Sequence, residues 1–204
     1  MYLRDCAVCH GARAGGTPSG PSLRGVGAAS VDYWVSTGRM PLSSPHETPR
    51  RHKPKYKPAL EHALVQYVAR LGGGGPAIPD VVVTPALVPP GGVQYRLNCA
   101  ACHSWAGTGG ALLHVQAPPL KPATPTQIAE AVRTGPGNMP AFGRAALTPK
   151  QLNGVVAYVR YLDHPVDRGG NPLWYLGPFA EGAVIWILGI GVVLLVIRVI
   201  GTRS

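Results

Sequence analysis

Acidic residues are scarce in this 204-residue chain: nine, against nineteen lysines and arginines, for a formal net charge of +10. Such a surplus suits an acidic protein face, a membrane surface or nucleic acid as partner. No nucleic-acid motif accompanies it, so nucleic acid is not an expected partner. Charged residues of both signs reach only 14%, while glycine (27) and proline (22) run above average usage. That balance excludes continuous helix over much of the chain and predicts long irregular segments. Cysteine is absent outside two C-x-x-C pairs, so no thiol remains for a disulfide framework or a separate site. Methionine is as sparse, with Met1, Met40 and Met139 only.

What is present is a repeated motif: Cys6-Ala7-Val8-Cys9-His10 and Cys99-Ala100-Ala101-Cys102-His103. Three chemistries use C-x-x-C. A thioredoxin-like redox pair follows a strand within a βαβ unit, and neither copy has a strand-like run before it. A zinc site made from two pairs spaces them about 15–20 residues apart, far less than the gap from Cys9 to Cys99. Covalent haem attachment has C-x-x-C-H as its signature, with the thiols bonded to the haem and the histidine under the iron. The expectation is two covalently bound haem c groups, on Cys6 and Cys9 and on Cys99 and Cys102, with His10 and His103 as axial ligands.

The sixth ligand is expected from methionine, which is common opposite histidine and raises the reduction potential. Met40 lies in Thr37-Gly38-Arg39-Met40-Pro41 and Met139 in Thr134-Gly135-Pro136-Gly137-Asn138-Met139-Pro140. One follows each haem motif, so Met40 and Met139 are read as the second axial ligands; gap-filling beside an apolar element is the alternative. His46, His52, His62, His114 and His164 share no spacing between the halves and are read as surface residues.

The halves overlay further. Gly20-Pro21-Ser22-Leu23 corresponds to Ala117-Pro118-Pro119-Leu120, and Tyr2 to Tyr95. Leu64-Val65-Gln66-Tyr67-Val68-Ala69-Arg70-Leu71 corresponds to Val155-Val156-Ala157-Tyr158-Val159-Arg160-Tyr161-Leu162. Leu60, Leu64, Tyr67, Val68 and Leu71 repeat at helical spacing. Thr148 followed by Pro149 predicts an N-cap and first helical position.

Each half resembles a class I cytochrome c domain. The resemblance implies an all-α fold of two tandem domains followed by one C-terminal transmembrane helix. It further implies that the Pro21 and Pro118 carbonyls accept hydrogen bonds from His10 and His103, which fixes the imidazoles. Tyr67 and Tyr158 either face the haem-side helix or are ordinary core. The expected boundaries are residues 1–71 and 93–163 for the two domains, a Pro/Gly-rich linker at 72–92, a linker at 164–178 containing Gly169-Gly170-Asn171-Pro172, a membrane helix at 179–201 and a tail at 202–204.

The ends carry the compartment. From Gly182 the chain is apolar to Ile200 except for Arg198. A span needs about 20 residues, so this run is short; snorkelling by Arg198 and bilayer thinning accommodate it. Trp174, Tyr175 and Trp186 are expected at the entry interface, and Arg198 and Arg203 put the C-terminus in the cytoplasm with both haem sites outside. The residues before Cys6 hold no signal peptide, and the glycines and first helical turn upstream of Cys99 have no counterpart there. The expectation is that Met1 is not the natural start and that a signal or second membrane helix lies upstream.

The full pattern resembles the dihaem cytochrome c subunit of the actinobacterial cytochrome bcc complex, a menaquinol–cytochrome c reductase. Thr134 to Phe142, Gly169 to Pro172, Gly177-Pro178-Phe179-Ala180-Glu181-Gly182 and the basic run Arg50 to Lys57 carry this likeness. It implies a relay: single electrons arrive from the Rieske iron–sulfur subunit, which works beside cytochrome b, and leave for the copper centre of a terminal cytochrome c oxidase. The chain then serves as the electron-transfer subunit of a translocase complex in the cell membrane and makes no bonds itself. Two other readings are an anchored carrier for a separate dehydrogenase and a dihaem peroxidase; the matched methionine loops argue against the latter. The basic run is either a solvated loop or a docking site.

Overall fold

The computed structural model describes residues 1–112, 115–166 and 178–202. The first half contains α1 (Tyr2–Asp5), α2 (Ala7–His10), α3 (Gly27–Ser36) and α4 (Pro58–Gly72). A 3₁₀ turn, Pro85–Leu87, leads into α5 (Val88–Asn98) and α6 (Ala100–His103). A short antiparallel pair follows, β1 (Gly110–Leu112) and β2 (Val115–Ala117), with Gly110 opposite Ala117. Then come α7 (Pro125–Thr134), α8 (Pro149–Asp163) and α9 (Pro178–Gly201). Helices alone were expected, so the β pair is a correction. It occupies extra chain: 15 residues separate His103 from Pro118, but 11 separate His10 from Pro21.

Capping explains the sharp starts of α7 and α8. Thr124 accepts from Gln127 N–H, and Gln127 Oε1 accepts from Thr124 N–H. Thr148 and Gln151 repeat the exchange ahead of α8. A proline fills the first helical position in both, where a missing N–H costs nothing. Helix α5 starts at Val88, inside the stretch read as linker to residue 92. Pro89 and Pro90 lie in its first turn, and Gly91 has a packing role: a Cβ there would land on the backbone of Gly154. That contact lets α5 and α8 cross with their backbones touching.

Two apolar cores form. Tyr2, Val31, Val35, Leu64, Val65 and Val68 make the first; Tyr95, Ile128, Val132, Leu152, Val155 and Val156 are among the second. Burying each such side chain contributes about 1.5–3 kcal/mol. In α4 the expected apolar face is only partly covered, with Leu60 51% and Tyr67 47% exposed. Helix α1 has four residues where α5 has eleven, so it shields less of α4 than α5 shields of α8. Helix α3 packs on both α4 and α7, which joins the two halves.

Helix α9 is longer than the apolar run beginning at Gly182, because Pro178 to Glu181 are helical too. At the ordinary helical rise its 24 residues span about 36 Å, with the charged Glu181 in the first turn. From Phe179 to Gly201 its mean hydropathy is 2.8 and none of it is buried against the rest of the chain, so by length and composition it can cross a membrane. Trp174, Tyr175, Gly169 to Pro172, His114 and Arg203 lie outside the described residues.

Candidate functional site

Each C-x-x-C pair sits at a corner between two helices. Cys6 (φ −123°, ψ −38°) separates α1 from α2, and Cys99 (φ −124°, ψ −39°) separates α5 from α6. The His10 and His103 backbone N–H groups return to Cys6 O and Cys99 O at 2.9 Å. A three-residue spacing puts the two thiols of each pair on one helix face. None of the four thiols is in a disulfide, and burial pushes the Cys99 thiol up to about 11, with Cys102 adding to it. No three His, Cys, Asp or Glu side chains converge to hold a metal ion among the described residues, so the two pairs do not meet in one zinc-type site.

The histidines are oriented alike. His10 Nδ1 lies 2.8 Å from Pro21 O, and His103 Nδ1 lies 3.0 Å from Pro118 O. A carbonyl can only accept, so Nδ1 carries the hydrogen and Nε2 keeps a free lone pair. His103 is buried, and that burial lowers its pKa and favours neutral imidazole; the Pro118 bond opposes it. Around each histidine the backbone closes the same way. Gly16 N–H donates to His10 O and Gly109 N–H to His103 O; Leu23 N–H donates to Ala14 O and Leu120 N–H to Gly107 O.

Sequence reasoning matched Tyr2 with Tyr95 without assigning them a task. Tyr2 hydroxyl donates to Gly11 O and Tyr95 hydroxyl to Ser104 O, both at 2.7 Å, tying the residue after each histidine to the preceding helix. The tyrosines of the terminal helices stack on these: Tyr2–Tyr67 ring centroids are 5.5 Å apart and Tyr95–Tyr158 5.3 Å, tilted 48° and 46°.

The methionine loops begin identically. Thr37 Oγ1 donates back to Tyr33 O at the end of α3, and Thr134 Oγ1 to Glu130 O at the end of α7. A left-handed glycine follows each, Gly38 and Gly135, and turns the chain off the helix. Met40 N–H then donates to Trp34 O, and Met139 packs half-buried against the second core. The His46, His52, His62 and His164 side chains are exposed, while the His52 backbone packs on the turn before Met40, its N–H donating to Thr37 O at 3.1 Å.

Between the halves lies a polar seam that the sequence did not suggest. Gln127, besides capping α7, accepts from Arg51 Nη2 (2.7 Å) and donates to Ser36 Oγ (3.0 Å) and O (3.3 Å). The Thr124-x-x-Gln127 pattern signals the cap; nothing local signals the bridge. Glu130 is fully buried, and both its oxygens lack a donor. It faces Asp32, and burial followed by that carboxylate pushes its pKa up to about 10. The basic run is packed down too: Tyr56 hydroxyl donates to Asp5 at 3.1 Å and Lys55 pairs with Asp5 at 3.5 Å.

Residues 86–159 match the family model described as cytochrome c oxidase, cbb3-type, subunit III. The whole chain aligns with proteins named "Cytochrome bc1 complex cytochrome c subunit". That of Corynebacterium diphtheriae is 36% identical over 226 residues, covering 100% of this chain and 79% of the relative. That of Mycobacterium tuberculosis is 40% identical over 214 residues, covering 100% and 76%. That of Mycobacterium leprae is 39% identical over 214 residues, covering 100% and 74%. A cytochrome c domain implies covalently bound haem c and electron transfer. With its cysteine corners, oriented histidines and full-length likeness to these proteins, the chain belongs to the family of cytochrome c subunits of the cytochrome bc1 complex.

Proposed function

We propose that this chain is a membrane-anchored dihaem relay built from two tandem cytochrome c domains. The observation that carries the reading is the doubled histidine geometry, with Nδ1 held at 2.8 Å and 3.0 Å from Pro21 O and Pro118 O and Nε2 free in both halves. In this reading Cys6, Cys9, Cys99 and Cys102 hold two haem c groups covalently. His10 and His103 would supply Nε2 to the irons, and Met40 and Met139 would supply sulfur. The donor set fits: two thiols, an imidazole and a thioether per half.

Haem c supplies a one-electron couple, and His–Met ligation raises its potential. The chain does the rest. Pro21 and Pro118 fix the tautomer and stop the rings from turning. Tyr2 and Tyr95 lock the backbone that carries each histidine, and the two apolar cores exclude water on the helix side. The chain takes single electrons from the Rieske subunit beside cytochrome b and delivers them to the copper centre of a terminal cytochrome c oxidase. Helix α9 anchors it with both haem domains outside and the C-terminus in the cytoplasm, a reading supported by Arg198 near the helix end. Anchoring raises the effective concentration of donor and acceptor for each other.

The test is a reduced-minus-oxidised spectrum of the protein extracted from its native membranes in mild detergent, with haem counted per chain. Two haem c per chain, accompanied by b-type and a-type bands, is the expected result. Two haem c with no b-type or a-type band under the gentlest extraction would favour a carrier for a separate dehydrogenase.

A further inference from the structure

The methionine turn of the first half is closed by a segment far along the chain. His52 N–H donates to Thr37 O at 3.1 Å, and a Cβ on Gly38 would overlap the His52 carbonyl and crowd Lys53 O. Just beyond, Lys55 Nζ lies 3.5 Å from Asp5 Oδ1, and the Tyr56 hydroxyl donates to Asp5 Oδ2 at 3.1 Å. Arg4 holds the same carboxylate with Nε at 3.0 Å and Nη2 at 2.9 Å. Asp5 directly precedes Cys6, and its side chain is only 10% exposed. Residues 52–56 therefore bridge the turn before Met40 to the corner that carries Cys6.

The bridging segment depends on such a tie. From Pro41 to Lys57 the chain forms neither helix nor strand, so it has no ladder of its own to resist opening. Its anchor is fixed in turn: Tyr56 packs against the first core, and Lys55 Nζ lies 5.8 Å from the Tyr56 ring centroid. One exposed ion pair contributes little. Here a mostly covered carboxylate gathers a guanidinium fork, a phenol and an ammonium, and bonds to a charged acceptor are the stronger kind.

The second half closes its turn locally. A Cβ on Gly135 would meet Ala141 N and Met139 O, within the methionine loop itself. Arg133 Nη1 donates to Phe142 O (2.9 Å) and Leu147 O (2.7 Å) and ties that loop to the end of α7. Asn98, which precedes Cys99 as Asp5 precedes Cys6, donates from Nδ2 to Gln94 O (3.0 Å) within its own helix. We propose that Asp5 is a positioning residue of the first half: through Tyr56 and Lys55 it latches the segment that presses on the Thr37–Gly38 turn, and so holds Met40 in place as a ligand. The inference rests on the two-haem, methionine-ligated reading. Opening the latch loosens Met40 and leaves Met139, held through Arg133, as it was.

The test uses the full ferric chain in detergent, with haem counted per chain, titrated with imidazole, which displaces a weakly held thioether. The far-red charge-transfer band of methionine-ligated ferric haem reports each displacement. In Asp5→Asn, half of the band is lost at about fivefold to tenfold less imidazole than in wild type, the scale of one charge-assisted hydrogen bond. The other half keeps its wild-type midpoint. Tyr56→Phe shifts the same half by less. Asp5→Glu, which keeps the carboxylate, and Asn98→Ala, at the corresponding place, leave both halves near wild type. If Asp5→Asn folds poorly, Tyr56→Phe is the variant read, and its failure to shift overturns the latch. An unmoved band in Asp5→Asn, both halves moved equally, or an Asp5→Glu as labile as Asp5→Asn also overturns it. A wild type with one haem, or without the band, sinks the underlying reading instead, an outcome distinct from failure of the latch.

Discussion

Glu130 of α7 and Asp32 of α3 face each other across the seam between the two halves, and no N–H of the described residues donates to Glu130. Two carboxylates so placed cannot both ionise cheaply, and sharing one proton resolves the conflict. The folded chain therefore holds a proton on Glu130 from the ordinary value of 4.5 up to about 10, while the unfolded chain releases it above 4.5.

The sign of the pH dependence follows. With more protons bound to the folded state, stability falls as pH rises through that window, by up to ~1.4 kcal/mol per pH unit for one proton. Glu61, raised by burial and by Asp32, acts in the same direction. Thermal unfolding in detergent between pH 6 and pH 8 is expected to shift to lower midpoints with rising pH. Glu130→Gln, an amide that needs no proton, is expected to raise the pH 8 midpoint and flatten the slope. An unchanged slope in that variant would show that Glu130 is ionised in the folded chain.

Gln127→Ala removes the bridge to Arg51 and Ser36 together with half of the α7 capping box. The bond from the charged Arg51 is worth about 1.5–3 kcal/mol, the one to Ser36 about 1 kcal/mol and half the cap about 0.5 kcal/mol, so a loss of ~3 kcal/mol or more is expected. Amide exchange should quicken at residues 36–38 and 51–53, which meet at the seam, and stay slow where α5 crosses α8. Uniformly faster exchange would mean the bridge holds the whole molecule rather than the seam.

The glycine crossing brings two backbones of the second half into contact. Gly91→Ala puts a methyl group on the Gly154 backbone and is expected to cost about 1–3 kcal/mol, read by urea unfolding. Ala63, which occupies the corresponding place on α4, is exposed. Ala63→Leu is expected to change stability by less than about 0.5 kcal/mol. Equal costs at the two positions would contradict the difference in packing.

Tyr95→Phe deletes the hydroxyl that holds Ser104 O, and Tyr2→Phe the one that holds Gly11 O. Each is expected to cost about 1 kcal/mol while leaving the ring stacking intact. The residue after each histidine should gain amide exchange.

What the sequence made legible was periodic or motif-bound. The repeated C-x-x-C-H, the Thr-Gly turns, the Thr148–Pro149 start of α8 and the apolar tail each depend on neighbours in the chain. What escaped depends on partners far along it. Gln127 reads as a cap, yet its other partners are 76 and 91 residues away. Gly91 reads as linker until Gly154 is placed against it. The tyrosine hydroxyls lay between these extremes: their nine-residue reach is short, but it crosses a corner at cysteine that helical periodicity does not describe.

Helices α3 and α7 hold corresponding places in the internal repeat, so their contact resembles an isologous interface drawn within one chain. In a true homodimer both faces must carry the same residues, and any change appears twice. Here Tyr33 stands where its counterpart is Glu130, and Ser36 where its counterpart is Arg133. Within a single chain that constraint is absent. Each face can differ alone, so the two halves can hold unequal surroundings, as Gln127 and Glu130 of α7 do against Ser36 and Asp32 of α3.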